Sequence, residues 1–190
     1  HVELAKVLMR KEGGDAQAET ALQTALSMVQ NSPKLLSMLG QVQYRQKKLA
    51  DAMATLEKAT NDDKQRNPEA RFLLGKLWRD EKKDLDRSVK LLDRAAQEYF
   101  SDPTQAAAAY DELAVTLEQR NKEGDRDKAR ATYEKALNAD KEYAPAYCHY
   151  ARALARDGKD REKLKAVATE GLKLDPQGAC AGDLQRFKEG

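Results

Sequence analysis

Few residues of this chain have types and spacings that suit covalent chemistry. Cys148 and His149 would supply a nucleophile and a base, but they are adjacent. Adjacent side chains on a helix diverge by about 100°, so this thiol and this imidazole cannot share a hydrogen bond. Gly75-Lys76 resembles the end of a phosphate-binding loop, yet that loop needs glycine at the position of Ala70 and Ser or Thr at that of Leu77. The sequence therefore predicts no catalytic residue and no enzyme.

The two cysteines, Cys148 and Cys180, limit the other kinds of site. Two thiols cannot build a structural zinc centre or a disulfide-rich scaffold, and we expect no metal site and no cofactor. They would form one disulfide if their Cα atoms lay within about 7 Å. We expect reduced thiols instead, because that is their usual state in a cytosolic protein, and hence a cytoplasmic location.

Charge and hydropathy restrict the partners. The 34 basic residues nearly balance the 32 acidic ones, whereas nucleic-acid binders usually carry a large basic excess. No apolar run approaches the roughly 18 residues that a membrane-spanning helix needs. We therefore expect neither nucleic acid nor membrane as a partner. The chain begins with His1 rather than Met, so we expect it to be part of a longer chain.

The composition favours thin amphipathic helices over a thick core, since 35% of the residues are charged and only 6% are aromatic. Prolines recur at intervals of 31 to 42 residues, as expected for punctuation between helix pairs. They are Pro33, Pro68, Pro103, Pro145 and Pro176.

Two further patterns recur in phase with the prolines. The first places a large residue before a small one, at Leu4-Ala5, Leu39-Gly40, Leu74-Gly75, Leu113-Ala114 and Tyr150-Ala151. The second alternates small, large and small residues, at Ala18-Leu22-Ala25, Ala52-Leu56-Ala59, Ser88-Leu92-Ala95, Ala129-Tyr133-Ala136 and, more weakly, Leu164-Ala168-Gly171. Small residues on one helical face let a neighbouring helix approach closely while the large residue fills the space beside it. The patterns predict paired helices.

These residues resemble the tetratricopeptide repeat family, whose repeats pair Leu-Gly early with Ala and an aromatic later and end in proline. The segment Gly171-Leu172-Lys173-Leu174-Asp175-Pro176 is similar to the typical repeat ending. The resemblance implies an all-α, right-handed superhelical solenoid of antiparallel helix pairs over residues 1–190. Its units would span about 1–32, 33–67, 68–105, 106–143 and 144–178, followed by a capping helix at about 180–189 that carries Leu184 and Phe187.

The family pattern is broken at three places. Arg71 stands where a large apolar residue would open the third unit, and Gln43 stands at an apolar position of the second. The fourth unit carries about three extra residues around 120–127, which we expect to lengthen its helices or its loop.

In tetratricopeptide arrays the first helix of each pair lines the concave surface, so the resemblance also implies a binding site. The expected lining is Lys6, Met9, Arg10, Met38, Gln41, Tyr44, Arg45, Phe72, Leu73, Lys76, Arg79, Asp111, Glu112, Val115, Glu118, His149, Arg152 and Arg156. Met, Phe and Tyr beside Arg are enriched at protein interfaces. The alternative is that Met38, Phe72 and Leu73 pack between repeats instead.

The function predicted from the resemblance is a protein-interaction module, a scaffold or adaptor that binds a partner peptide, helix or small domain in the concave groove. The Lys, Asn and Arg set with which some relatives clamp a C-terminal carboxylate is absent, because Ser37, Met38 and Gln41 occupy those places. Two alternatives stay open. One is an RNA-binding helical repeat, since such arrays share a repeat length near 35 residues. The other is a non-catalytic regulatory or oligomerisation arm of a larger protein.

Overall fold

All the regular structure in the computed structural model is helical. It describes residues 1–62, 64–82, 84–99, 101–158 and 160–189, and within these ranges no residue lies in a β-strand. The predicted all-α class is confirmed. The helices are α1 (Val2–Arg10), α2 (Asp15–Met28), α3 (Pro33–Arg45), α4 (Leu49–Ala59), α5 (Pro68–Leu77), α6 (Leu85–Glu98), α7 (Pro103–Arg120), α8 (Asp125–Ala139), α9 (Ala144–Asp157), α10 (Arg161–Leu174) and α11 (Ala181–Glu189), with a π-helical turn at Trp78–Lys82 after α5.

The prolines and the residues before them determine where several helices start. Helices α3, α5 and α7 each have proline in the first position, where a missing N–H costs nothing. The side chains of Ser32, Asn67 and Asp102 accept hydrogen bonds from the backbone N–H three residues on, at 3.5, 3.4 and 3.1 Å. Pro145 lies in the first turn of α9, and Pro176 follows the end of α10. Both positions are those expected of proline between helix pairs.

The chain divides into two compact units, His1–Glu98 and Tyr99–Gly190. Unit 1 contains three helix pairs, α1 with α2, α3 with α4, and α5 with α6. Unit 2 contains the pairs α7 with α8 and α9 with α10, and α11 packs on both α10 and α9. Short loops join the helices of each pair, so the two are antiparallel. One continuous solenoid over residues 1–190 stays a prediction.

Close approach within the pairs of unit 1 depends on two glycines. A Cβ atom added at Gly40 would lie 2.5 Å from Leu56 Cγ, and one added at Gly75 would lie 2.8 Å from Leu92 Cγ. Both leucines are fully buried. The large residue of each second helix therefore occupies the space that the glycine of the first helix leaves open, as the sequence patterns predict.

The unusual Arg71 belongs to a buried ion pair. Its guanidinium lies 2.9 Å from the carboxylate of Glu98, and the two side chains are 3% and 6% exposed. Arg94 contacts the other carboxylate oxygen at 2.7 Å, and the backbone N–H of Asn67 donates to Glu98 at 3.2 Å. These bonds satisfy the buried charges, so an arginine replaces the apolar side chain without leaving an unpaired polar group.

The extra residues of the fourth unit lengthen α7, which has 18 residues, against 13 in α3 and 14 in α9. The connection to α8 turns through Asn121 and Gly124, whose φ angles are 50° and 77°. Arg120 ends α7 and bonds the buried carboxylate of Asp125 at 2.7 Å. This ion pair closes the longer hairpin.

Cys148 and Cys180 form a disulfide, so the expectation of reduced thiols is wrong. Their Cα atoms are 5.9 Å apart, within the range that a disulfide requires. The physical reason is the fold of the C-terminal segment, which brings the residue just before α11 back to α9. Leu184 on α11 is buried, and an added Cβ at Gly171 would lie 3.0 Å from one of its methyl carbons. Phe187 is half-buried.

Candidate functional site

The first helices of unit 1 carry basic side chains interleaved with large apolar ones. We call this set the unit 1 face: Lys6, Met9, Arg10, Lys34, Met38, Gln41, Tyr44, Arg45, Phe72 and Lys76. All of these are exposed or half-buried. The guanidinium of Arg45 bonds the backbone carbonyl of Met9 at 2.9 Å and the carboxylate of Asp15, which links α1, α2 and α3. The ammonium of Lys76 lies 5.5 Å from the centre of the Phe72 ring, so basic and aromatic groups are in contact.

A surface cavity of about 460 Å³ opens within the unit 1 face. Lys34, Ser37, Met38 and Gln41 line it from α3, and residues 65–67 with Glu69 line it from the start of α5. Arg10 and Lys34 are exposed and, among the residues that the structure describes, form no hydrogen bond or ion pair. The cavity therefore combines the apolar side chain of Met38 with amide groups, the exposed ammonium of Lys34 and the carboxylate of Glu69.

Three of the predicted lining residues are buried. Leu73 lies in a core cluster with Leu56 of the preceding helix pair and with Leu74 and Leu77, so this residue packs between repeats. Arg79 is 8% exposed and pairs with Asp80 at 2.7 Å. Met38 and Phe72 differ from Leu73, because both keep part of their surface exposed. Asp111, in unit 2, is the third buried residue and is 2% exposed.

The predicted residues of unit 2 bind one another. His149 Nδ1 lies 2.9 Å from a carboxylate oxygen of Asp111, which connects α9 to α7. Arg156 bonds Glu118 at 2.7 Å and connects the same two helices. Arg152 bonds Asp183 at 2.8 Å and connects α9 to α11. We call these three contacts the unit 2 ion pairs. Glu112 and Val115 are half-buried on α7.

The unit 2 ion pairs shift the pKa values of His149, Asp183 and Arg156 in the directions that favour charge. The hydrogen bond to Asp111 raises the pKa of His149 and outweighs the effect of burial, which lowers it. The hydrogen bond from Arg152 lowers the pKa of Asp183, and the bond to Glu118 raises that of Arg156. For these three residues, the bond to the partner therefore favours the charged form.

A second cavity, of about 270 Å³, lies beside α11 in unit 2. The disulfide of Cys148 and Cys180 lines it together with His149, Arg152 and Leu184. Across the described ranges no group of three or more His, Cys, Asp or Glu residues is placed to hold a metal ion. No helix in those ranges is long and apolar enough to cross a membrane.

Two tetratricopeptide repeat models match the sequence, one over residues 16–77 and the other over residues 107–143, and together they cover just over half of the chain. The chain belongs to the tetratricopeptide repeat family. The assignment brings with it the general role of a protein-interaction scaffold. No curated protein has a significantly similar sequence.

Solved tetratricopeptide proteins share the fold at low sequence identity. PilF of Pseudomonas aeruginosa is 18% identical, with a TM-score of 0.82 over 99% of this chain and 81% of that one. YrrB, described as a tetratricopeptide protein with an unusual peptide-binding site, is 18% identical, with a TM-score of 0.72 over 97% of this chain and 90% of its own. MamA of Desulfovibrio magneticus is 16% identical, with a TM-score of 0.73 over 93% and 94% of the two chains.

Sequence reasoning missed several residues that line the unit 1 cavity. Lys34 lies four residues before Met38 and seven before Gln41, so helical spacing alone would have placed it on the same face. Gln65 and Arg66 lie in the loop before α5 and follow no helical period. Only the folded chain brings that loop beside α3.

Proposed function

We propose that the unit 1 face binds a segment of a partner protein, and that its cavity receives an apolar side chain of that segment. The observation that carries the proposal is the cavity between α3 and α5, where Met38 is reachable beside the exposed ammonium of Lys34. Met and aromatic side chains with arginine are enriched at protein interfaces, since they offer large contact areas.

The charge of the unit 1 face favours an acidic partner segment. Its cations are Lys6, Arg10, Lys34, Arg45 and Lys76. Lys6 and Arg45 already pair with carboxylates of the chain itself. Among the described residues Arg10 and Lys34 form no ion pair, although, with the hydrogen bond from Lys6, the charge of Lys34 contributes to lowering the pKa of Glu3. Complementary charge speeds association and orients the partner. A segment with Asp or Glu on either side of one apolar residue has the matching chemistry.

The unit 2 residues of the predicted lining have a different role in this proposal. Asp111, Glu118 and Arg152 are held by the unit 2 ion pairs, and a ligand would have to replace those bonds before it gained its own. We therefore place the principal contact on unit 1, and we assign the His149–Asp111 and Arg156–Glu118 contacts to holding α7 and α9 together.

The test is capture of partners from a lysate of the source organism, with quantitative mass spectrometry of the bound proteins. The test variant is Tyr44→Ala with Phe72→Ala, and the matched control is Met28→Ala with Val29→Ala. The control residues are 69% and 58% exposed but lie at the end of α2, outside the unit 1 face. We expect the test variant to lose partners that the wild type and the control retain. Identical captured sets for all three proteins would refute binding on this face.

The same preparations test the alternatives. An RNA-binding repeat would bind single-stranded RNA with an affinity that falls steeply with salt concentration. An oligomerisation arm would change its mass with protein concentration in sizing experiments. The cytoplasmic location stays a prediction, but its premise of reduced thiols conflicts with the Cys148–Cys180 disulfide, which favours an oxidising compartment.

A further inference from the structure

We propose that the Cys148–Cys180 disulfide is a redox latch that holds helix α11 on unit 2, and that its reduction releases the helix. The disulfide joins a residue within α9 to the residue immediately before α11. It therefore fixes the start of α11 beside the helix pair on which α11 packs.

Helix α11 packs on both α10 and α9, and Phe187 is half-buried, but few side chains of the helix are fully buried. The helix has nine residues, fewer than the roughly 12–15 that an isolated helix needs for even marginal stability in water. Leu184 is its one buried residue, in the part of the helix that the structure describes. The Arg152–Asp183 ion pair involves side chains that are 50% and 24% exposed, so solvent screens it strongly. Helix α11 consequently depends on the covalent bond for much of its order.

The disulfide is reachable from solvent. Cys148 and Cys180 are both half-buried, and both line the 270 Å³ cavity that opens beside α11. A dithiol reductant can therefore attack one sulfur from the cavity. The Sγ–Sγ bond breaks, each cysteine sulfur takes one proton, and the two thiols of the reductant become a disulfide, which balances the two electrons.

Release of α11 changes the surface of unit 2. Leu184 covers Gly171, where an added Cβ would meet Leu184 Cδ1 at 3.0 Å and Tyr147 Cβ at 2.9 Å. Once α11 leaves, the surface of α10 around Gly171 and the adjoining side of α9 become exposed. Reduction thereby adds an apolar surface that the oxidised protein conceals, independently of any partner on the unit 1 face.

The test is hydrogen–deuterium exchange of the full chain, measured by mass spectrometry with and without a phosphine reductant. We expect reduction to increase exchange in residues 181–189 by at least about tenfold. Exchange in α3 and α4 of unit 1 serves as the internal reference and is expected to stay unchanged. Cys180→Ser should exchange rapidly in 181–189 with or without the reductant.

A matched control distinguishes the contribution of the disulfide from that of the non-covalent contacts of α11. Arg152→Gln removes the ion pair to Asp183 and leaves both cysteines intact, so the oxidised variant should keep its protection in 181–189 and lose it on reduction. Unchanged exchange of 181–189 in the reduced wild type would overturn the proposal. Two titratable thiols in protein purified under air, with no Cys148–Cys180 cross-link in its peptide map, would also overturn it.

Discussion

The two units differ in how far the charged groups of their first helices are paired. In unit 2, His149 and Arg156 of α9 bond Asp111 and Glu118 of α7, and Arg152 of α9 bonds Asp183 of α11. In unit 1, Arg45 links α1, α2 and α3 through Met9 and Asp15, but Arg10 and Lys34 form no ion pair among the described residues, and an open cavity lies beside Lys34. Similar repeats thus present one surface whose polar groups are bonded to one another and another whose charges are partly available.

The difference shows that position in a repeat does not by itself make a residue a binding residue. Phe72 and Asp111 each lie two residues before the large residue of the first pattern, yet Phe72 is half-buried while Asp111 is buried beneath His149. The available surface depends on whether a neighbouring helix supplies the opposite charge. An acidic ligand gains more from Lys34, which forms no ion pair among the described residues, than from a group whose ion pair it must first replace.

We expect the largest loss of stability from a change in the buried ion pair of unit 1, between Arg71 and Glu98. Arg71→Leu leaves the buried Glu98 carboxylate without its main partner, although Arg94 still contacts it, and should lower the free energy of unfolding by about 3 kcal/mol. Urea denaturation followed by the fluorescence of Trp78, the single tryptophan, reports on unit 1. The double variant Arg71→Leu with Glu98→Met should recover part of the loss. Equal losses in the two variants would show that packing, not the unpaired charge, dominates.

We expect the next largest loss of stability from a change in the close contact of α5 with α6. Gly75→Leu inserts a side chain where even a Cβ would lie 2.8 Å from Leu92 Cγ, and should cost about 1–3 kcal/mol by overpacking. Gly182→Leu is the matched control, because nothing lies within 4 Å of a Cβ added there. Urea denaturation of Gly75→Leu is followed by the fluorescence of Trp78. Unfolding of the Gly182→Leu control is followed by circular dichroism. A Gly75→Leu protein that unfolds like the wild type would contradict the register of the third pair.

We expect the smallest loss of stability, and one that depends on pH, from a change at His149 in unit 2. The pKa of His149 is raised in the folded protein above its ordinary value of 6.5. Its stabilisation is therefore fully present below that ordinary value and is lost as pH rises through the raised one. His149→Gln should lower the melting temperature by about 1–3 °C near pH 6 and by less near pH 9. A difference that grows with pH would refute the charged pair with Asp111.

Much of the fold can be predicted from the sequence because the same residue pattern recurs in each repeat. Pro33, Pro68 and Pro103 each follow a residue that caps a helix, and the Gly and Leu patterns specify which faces meet. The buried Arg71 was recognised only as a departure, since its partner Glu98 lies 27 residues away and no local rule connects them.

The candidate site is less predictable, because helical spacing gives a face but not its neighbours. Spacing identifies Met38 and Tyr44 as lining residues, yet it cannot show that Asp111 is bonded by His149, which lies 38 residues further along the chain. The disulfide was missed for the same reason. Two cysteines 32 residues apart reveal their distance only when α11 folds back on α9.

The central claim is that unit 1 binds an acidic segment and unit 2 does not. The most direct test selects peptides that bind the immobilised chain from a random display library. The affinities of the selected peptides are then measured for two variants, each of which loses two positive charges. We expect the peptides to carry Asp or Glu around an apolar residue, and we expect Arg10→Gln with Lys34→Gln to weaken them about tenfold. Arg152→Gln with Arg156→Gln should change their affinity by less than about threefold. Peptides without acidic residues, or a larger loss in the unit 2 variant, would contradict the account.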